Sequence, residues 1–440
     1  MKTTFYGHPG METPRERTRS IALAFLLILL GGSLGFTLRA HAETRLRVGT
    51  SGDYAPYSVL RTQEEGAGQY HGLGPRLAQA FAQDRGFEVE FVSFRWPELL
   101  EDLKEGRFDV AMSGVTIRPE RSVEGRFSLP ITTSGAMILV PDASPFVTIR
   151  ELDEPEFKLA VNAGGHLERV TRKHFQQARI LPMQENQDVI RVLAEGQVDA
   201  AITDTREAAV WQERYPGLRA IGPFTRDRKA FLIHPDQTAL AREIDAWLLE
   251  TELDGRLEGL RTEELGPSSD PTRSTEPLRA LLAAVDERLS LMPWVAEAKR
   301  KTGGPVEVPE VERRVLADAL IRFQAAQNRN PTSNPRKDEE ILDFYRAQIE
   351  AAKTIQRRIL ASSAPSRGEP IPDLTMALRP ALLRINDRVA NLLVALPDGI
   401  SEQAIRNAAE EELISTNLPE KDREAIAQAL IALMSPKPAP

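Results

Sequence analysis

Asp102-Leu-Lys-Glu-Gly-Arg-Phe-Asp-Val-Ala-Met-Ser113 recurs ninety residues on as Val192-Leu-Ala-Glu-Gly-Gln-Val-Asp-Ala-Ala-Ile-Thr203. Each copy reads as the end of an amphipathic helix, a glycine that stops it (Gly106, Gly196) and an apolar strand. Around this echo the spacing predicts strands at 46–48, 88–92, 110–112, 158–161, 198–202 and 230–233. Helices are predicted at 75–85, 97–104, 187–194 and 238–249. The alternation is that of an α/β protein, and the internal echo predicts two similar lobes with a cleft between them. Ligands of such folds sit at the carboxyl ends of the strands.

The pattern changes further along. Gly266-Pro-Ser-Ser-Asp-Pro-Thr-Arg-Ser-Thr-Glu-Pro277 has the composition of a linker. Beyond it Leu278, Leu281, Leu282, Val285, Leu289 and Met292 fall on one helical stripe. Further stripes run through 315–323, 341–355, 378–396 and 405–433, with no strand candidate between them. The fold class expected is therefore a two-lobed α/β domain over 43–262, a linker over 263–277 and an all-α domain over 278–436. Pro436-Lys-Pro-Ala-Pro440 reads as a tail.

Upstream, Arg15, Arg17 and Arg19 precede the apolar run 21–30, and Ala40-His41-Ala42 closes the segment. This is the grammar of a secretory signal over 1–42. The apolar run is short for a bilayer span of roughly 20 residues, so cleavage after Ala42 is expected, giving a periplasmic protein with no stable span. The whole chain of 440 residues carries a formal charge of −8, and the signal holds five basic and two acidic groups. The exported remainder is more acidic still, which argues against nucleic acid as a partner.

With no cysteine, thiolate nucleophiles, disulfides and Cys-ligated zinc are excluded. The six histidines show no HExxH or H-x-H spacing. No metal and no cofactor is expected.

Three polar clusters lie where strands give way to loops or helices: 50–57 with Asp53 and Tyr54, 113–116 with Ser113 and Thr116 and then Arg121, and 162–168 with Gly164, Gly165 and Glu168. Two glycines opening a helix offer free N–H groups to anions, and Arg121 suits a carboxylate. Asp204 and Lys229 are further candidates. Read singly, Asp53 and Asp204 serve equally as turn and cap residues, and Lys229 as a strand end.

The strings TSGDYAPYS (50–58), SFRWPELLEDLKEGRFDVAMSGVTIRPERS (93–122), NAGGHLERV (162–170), VDAAITDTREA (198–208) and KAFLIHPD (229–236) resemble the periplasmic amino-acid-binding fold, and within it the cyclohexadienyl dehydratases. Ser51 stands where ordinary amino-acid binders place an acid after the Thr. The resemblance implies dehydration and decarboxylation of prephenate or arogenate, with Glu168 as general acid. It further implies that Arg121, Ser113, Thr116 and the Gly164 and Gly165 amides hold carboxylate. Tyr54 and Trp96 would flank the ring, and Asp204 and Lys229 would complete the lining. The chain departs from the family in having His166-Leu167 before the glutamate and Gly72-Leu73-Gly74 before the first long helix.

In the helical half Arg288, Lys299, Gln356 and Arg388 sit on or beside apolar stripes, where burial demands partners. They read either as side chains snorkelling from a stripe edge or as the lining of a pocket for a small dianion. The strings RLSLMPWVAEAK (288–299), QIEAAKTIQ (348–356) and LRPALLRINDRV (378–389) resemble secreted all-helical chorismate mutases of the AroQ type. That implies carboxylate grips from Arg288 and Arg388, contacts to the breaking ether oxygen from Lys299 and Gln356, and a hydroxyl contact from Glu312. Self-association as a homodimer is a further expectation of this resemblance. Val308 and Val311 stand where relatives carry an Asp and an Arg.

The two resemblances describe consecutive steps: small-molecule substrates chorismate, then prephenate or arogenate, in one exported bifunctional enzyme. The rival expectation is a solute-binding protein for an amino acid or aromatic acid, carrying an inactive mutase-like domain.

Overall fold

The computed structural model describes residues 1, 44–61, 68–266, 276–331, 333, 336–362 and 370–435. The expected signal peptide, most of the linker and the tail lie outside them.

In the first lobe β1 (Thr44–Thr50) leads into a ribbon of β2 (Asp53–Tyr54), β3 (Ser58–Arg61) and β4 (Gln69–His71). The chain continues through α1 (Leu73–Arg85), β5 (Phe87–Ser93), α2 (Leu99–Lys104), β6 (Val110–Thr116), α3 (Pro119–Glu124), β7 (Arg126–Phe127) and β8 (Thr132–Ser134). It then crosses to a second lobe. There β9 (Ala136–Pro141), β10 (Lys158–Asn162), α4 (His166–His174), β11 (Arg179–Met183), α5 (Asn186–Ala194), β12 (Ala200–Asp204), α6 (Thr205–Arg214) and β13 (Leu218–Ile221) succeed one another. The chain returns as β14 (Asp227–Ile233), α7 (Thr238–Leu253) and α8 (Arg256–Leu265). The main sheets run β5-β1-β6-β14-β7 and β11-β10-β12-β9-β13.

The sequence echo becomes a repeated turn. Gly106 and Gly196 both adopt φ near 70°, the left-handed region that glycine enters without a Cβ penalty. In one copy the N–H groups of Gly106 and Arg107 donate to the carbonyls of Leu103 and Asp102. In the other, those of Gly196 and Gln197 donate to Leu193 and Val192. This nested pair of bonds satisfies the carbonyls a helix leaves open at its end. Asp109 and Asp199, three residues past the glycines, each donate a backbone N–H to the preceding parallel strand, at Arg47 and Lys158.

Two crossovers join the lobes, at Gly135 and over 222–226. They pass so closely that a Cβ on Gly135 would collide with the Thr225 carbonyl, so glycine is required there. The antiparallel strands β9 and β13 were not predicted; β9 is apolar along its length because both its faces are covered.

The third unit is all-helical: α9 (Pro277–Ser290), α10 (Met292–Thr302), α11 (Pro309–Arg329), α12 (Asp338–Ala361), α13 (Arg379–Ala395), α14 (Glu402–Glu412) and α15 (Glu420–Met434). The predicted stripe is buried from Leu278 to Leu289 on α9 and at Met292, where α10 begins. At the other side of the linker, α8 runs to Leu265, three residues past the expected domain end.

A charged seam docks α9, α13 and the end of α14 against the first lobe. Arg228 of β14 pairs with Asp286 at 2.7 Å and with Glu412 at 2.9 Å, all three side chains being under one-tenth exposed. Ser122 of α3 donates to Glu287 at 2.8 Å, and Arg384 of α13 donates to the Val123 carbonyl at 2.7 Å. Because these charges are out of water, each depends on its partner.

Candidate functional site

The interlobe cleft holds a cavity of about 40 Å3, lined from both lobes. The first lobe contributes Tyr54, Trp96, Thr116, Arg121 and Lys229, and the second contributes Asn162, Gly165, His166, Leu167 and Asn186. The lobes are in contact: a Cβ on Gly164 would lie 2.8 Å from Pro97.

Arg121 sits in the first helical turn after β6 and is only 1% exposed. One guanidinium nitrogen donates to the Thr116 carbonyl at 3.1 Å, while its Nε is buried without a partner. Its guanidinium lies 5.7 Å from the centre of the Trp96 ring. Burial, reinforced by the charge of Arg118, holds Arg121 well below the usual guanidinium range. Among the described residues no carboxylate comes within ion-pair distance of it. A cation so placed, against an aromatic face, is a grip for an anion that brings its own ring.

Lys229 Nζ donates to the Tyr54 hydroxyl at 2.8 Å and to Thr116 Oγ1 at 2.9 Å. It also stands 3.3 Å from Asp204 across the gap. Asp204 accepts the Tyr54 hydroxyl and caps α6 by accepting the N–H groups of Arg206 and Glu207. Beside it, burial and the Asp204 charge push Glu207 well above the carboxylate range. Burial also raises Asp53, whose carboxylate takes the Trp96 indole N–H at 3.1 Å and fixes that ring.

Of the residues expected here, Tyr54, Trp96, Thr116, Arg121, Gly165 and Lys229 line the cleft cavity. Asp204 stands behind Tyr54 and Lys229. Ser113 does not reach it: its hydroxyl is bonded to Ser51 at 3.0 Å. Gly164 and Glu168 are also off the wall. The Glu168 carboxylate is turned back onto the Gly164 N–H at 2.7 Å and onto Arg172 at 2.7 Å, as a first-turn acid favoured by the open amides there. Sequence reasoning missed Asn162, Asn186 and His166 as lining. His166 Nε2 lies 2.9 Å from Asp227; burial pushes the imidazole below its usual value despite that carboxylate.

The helical unit has its own set of buried polar side chains. Arg288 donates from Nε to Asn386 at 3.1 Å, but a second guanidinium nitrogen is buried without a partner. The Oε1 atoms of Gln356 and Gln348 and the Tyr345 hydroxyl are likewise unpartnered. Arg288 and Tyr345 are near enough to interact electrostatically, and polar groups left open in a bundle core are ones that a bound ligand could complete. Lys299 donates to the Val306 carbonyl at 3.0 Å; burial lowers it, opposed by Glu312 and assisted by Arg379. Glu312 is also 3.4 Å from Lys353.

Arg388 does not join this set. It pairs with Glu287 and donates to the Phe127 carbonyl at 2.6 Å, so it belongs to the seam with the first lobe. The reason is register: Asn386, two residues earlier on α13, faces Arg288, and two positions along a helix turn a side chain to the opposite side. The cation of α13 whose field reaches Lys299 is Arg379, one helical face and more than two turns earlier.

The match to known families decides the architecture. Residues 46–266 fit the model of the bacterial extracellular solute-binding proteins, family 3. The chain belongs to that family. Residues 279–357 fit the model of chorismate mutase type II, a span that includes Arg288, Lys299, Glu312 and Gln356. Among relatives of this solute-binding family, cyclohexadienyl dehydratase of Pseudomonas aeruginosa is 36% identical over 217 residues, 48% of this chain and 79% of that one. The L-cystine-binding protein TcyJ of Escherichia coli is 26% identical over 224 residues, 50% of this chain and 82% of that one. A crystal structure of an ancestral amino acid-binding protein, a precursor of cyclohexadienyl dehydratase, is 32% identical, with a TM-score of 0.47 over 50% of this chain and 95% of that one. Among the described residues no helix is long and apolar enough to cross a membrane.

Proposed function

We propose that the chain is an exported bifunctional enzyme: the helical domain rearranges chorismate to prephenate, and the cleft converts prephenate or arogenate to phenylpyruvate or phenylalanine. The observation that carries this reading is that each half holds a deeply buried arginine, Arg121 and Arg288, with no carboxylate partner among the described residues. Chorismate and prephenate are ring dicarboxylates, and desolvated guanidinium groups are the grips such anions need. The dehydratase relative and the mutase family model support the two steps.

In the mutase step no covalent intermediate forms. Arg288 holds a carboxylate, and Lys299 and Gln356 face the ether oxygen on which negative charge grows as its bond to the ring breaks. In the dehydratase step a proton goes to the departing ring hydroxyl, the C–O bond breaks, the ring carboxylate leaves as carbon dioxide and the ring becomes aromatic. Arg121 and Lys229 hold the side-chain carboxylate, and Trp96 and Tyr54 hold the ring.

We assign the proton to Glu168, which follows the lining residue Leu167 and would enter the cavity by leaving the Gly164 N–H and Arg172. His166 is the alternative donor, favoured by its place on the cavity wall. Phenylpyruvate formation from prephenate by Glu168→Gln and by His166→Gln separates the two. Loss in Glu168→Gln alone supports the assignment, and loss in His166→Gln alone transfers the role. No phenylpyruvate from the unmodified protein overturns the enzyme reading in favour of solute capture.

A further inference from the structure

The cleft wall carries cations and no acid. Arg121, Lys229 and His166 line the cavity, and among the described lining residues none is Asp or Glu. The carboxylates standing behind the wall are each taken. Asp227 faces His166 at 2.9 Å and accepts the Thr225 hydroxyl at 2.9 Å. Asp53 holds the Trp96 indole. Glu207 accepts Asn186 at 2.6 Å and the Thr203 hydroxyl at 2.7 Å. Asp204 is taken by Lys229.

Lys229 is placed to keep Asp204. The Tyr54 hydroxyl and Thr116 Oγ1, both on its own lobe, take two of its three N–H bonds, and Asp204 of the other lobe stands 3.3 Å away for the third. A ring acid needs more room than the closed cavity of about 40 Å3, so it enters with the lobes parted. The contacts to Tyr54 and Thr116 lie within one lobe and survive that parting. On closure the tethered ammonium returns to Asp204 ahead of a diffusing one, because tethering raises its local concentration.

We propose that Lys229 sets the specificity of the cleft: it occupies the acid that an α-ammonium would need, so the cleft accepts an α-keto acid over the matching α-amino acid, prephenate over arogenate. The inference rests on the reading of Arg121 as the carboxylate grip. The keto or amino group of either substrate is on the carbon next to that carboxylate, and so lies beside Arg121 and Lys229. A keto oxygen there accepts hydrogen bonds. An ammonium meets two cations and gives up its water without gaining a carboxylate.

The test is calorimetric titration of the full chain with phenylpyruvate, L-phenylalanine and hydrocinnamate, which share ring and carboxylate and differ at the α-carbon. L-phenylalanine is expected to bind about tenfold or more weakly than either of the others, the worth of one buried unpartnered charge. Lys229→Met frees Asp204 and is expected to narrow that ratio about tenfold. Lys229→Gln, which keeps a hydrogen-bond donor, should move it the same way, so the result does not rest on the fold of one variant. Adding Asp204→Asn to Lys229→Met should abolish the gain. With turnover, kcat/KM for prephenate should exceed that for arogenate. Equal or tighter binding of L-phenylalanine by the unmodified chain, no saturable binding of phenylpyruvate, or an unchanged ratio in both Lys229 variants would overturn the proposal. The ratio is read without turnover: no phenylpyruvate from prephenate strikes the dehydratase reading alone, and equal affinities strike this proposal alone.

Discussion

Lys229 and Asp204 meet at 3.3 Å across the interlobe gap, one at the end of a first-lobe strand and the other capping a second-lobe helix. Both are almost wholly buried. The cleft is thus clasped by its own charges, with the Tyr54 hydroxyl bonded to both partners.

Breaking one side of this clasp strands the other. Asp204→Asn keeps the cap on α6 but leaves Lys229 uncompensated, at an expected loss of about 3–5 kcal/mol. Adding Lys229→Met should recover at least half of that loss, because no buried charge is then left. Urea unfolding followed by tryptophan fluorescence checks both.

Two buried groups give stability opposite slopes with pH. Burial holds His166 below its unfolded value of about 6.5, so the unfolded chain takes up a proton first. Its contribution is present above pH 6.5 and is lost as pH falls below it. Asp245 is raised to about 7, so the folded chain holds the extra proton between about 4 and 7; that contribution is lost as pH rises through 7. His166→Gln should flatten the fall in stability below pH 6.5. Asp245→Asn should add about 1–2 kcal/mol above pH 7, a figure reduced for the partial exposure of the side chain. Denaturation midpoints from pH 5 to 8 measure both.

Arg379 and Arg388 offer a test of the proposed mutase site against the seam. Removing Arg379, whose charge reaches Lys299, should lower prephenate formation from chorismate by about 10–100-fold, the worth of one charge-assisted contact. Its effect on stability should be small, since its one described bond is a 3.5 Å contact to Thr375. Arg388→Ala should instead destabilise the chain, because Glu287 loses its buried partner. Steady-state kinetics beside thermal melts distinguishes the two outcomes.

Arg228 tests the seam. Arg228→Met leaves Asp286 without a cation and Glu412 with fewer, and should destabilise by about 3 kcal/mol or more. Excising 276–440 removes the same partner, so the fragment should melt below the full chain and yield less prephenate per mole. Equal melting of fragment and full chain would show that the seam carries no stability.

The α/β class and the division into two lobes were legible because the repeated turn has a local cause: a helix end, Gly106 or Gly196, and a strand. The α9 stripe was legible for the same reason. Arg121 and Trp96 follow strands or open helices, and Lys229 stands near the start of β14, and that placement pointed to the cleft. What escaped depends on contacts distant in sequence. Lys229 meets Asp204 only because β14 returns to the first lobe while β12 ends in the second. A polar residue on an apolar stripe announces burial but not its partner, so Arg388 read as a substrate grip although it faces another domain. Glu168 was placed correctly on its helix, but its side-chain direction is set by the Gly164 amide and Arg172, a competition that spacing cannot weigh. His166 was noticed as a departure from relatives and not as wall.

Every described hydrogen bond and ion pair from the helical domain to the α/β half ends on the first lobe or on Arg226 in the crossover. The second lobe is tied to the rest by two short straps and by contacts across the cleft, such as Lys229 with Asp204 and Asn186 with the Asp53 carbonyl. A parting of the lobes would break those cleft contacts and leave the seam whole, so that Arg121 would keep its place relative to Arg288. The distance between the two buried arginines is thus set by the seam and not by the hinge.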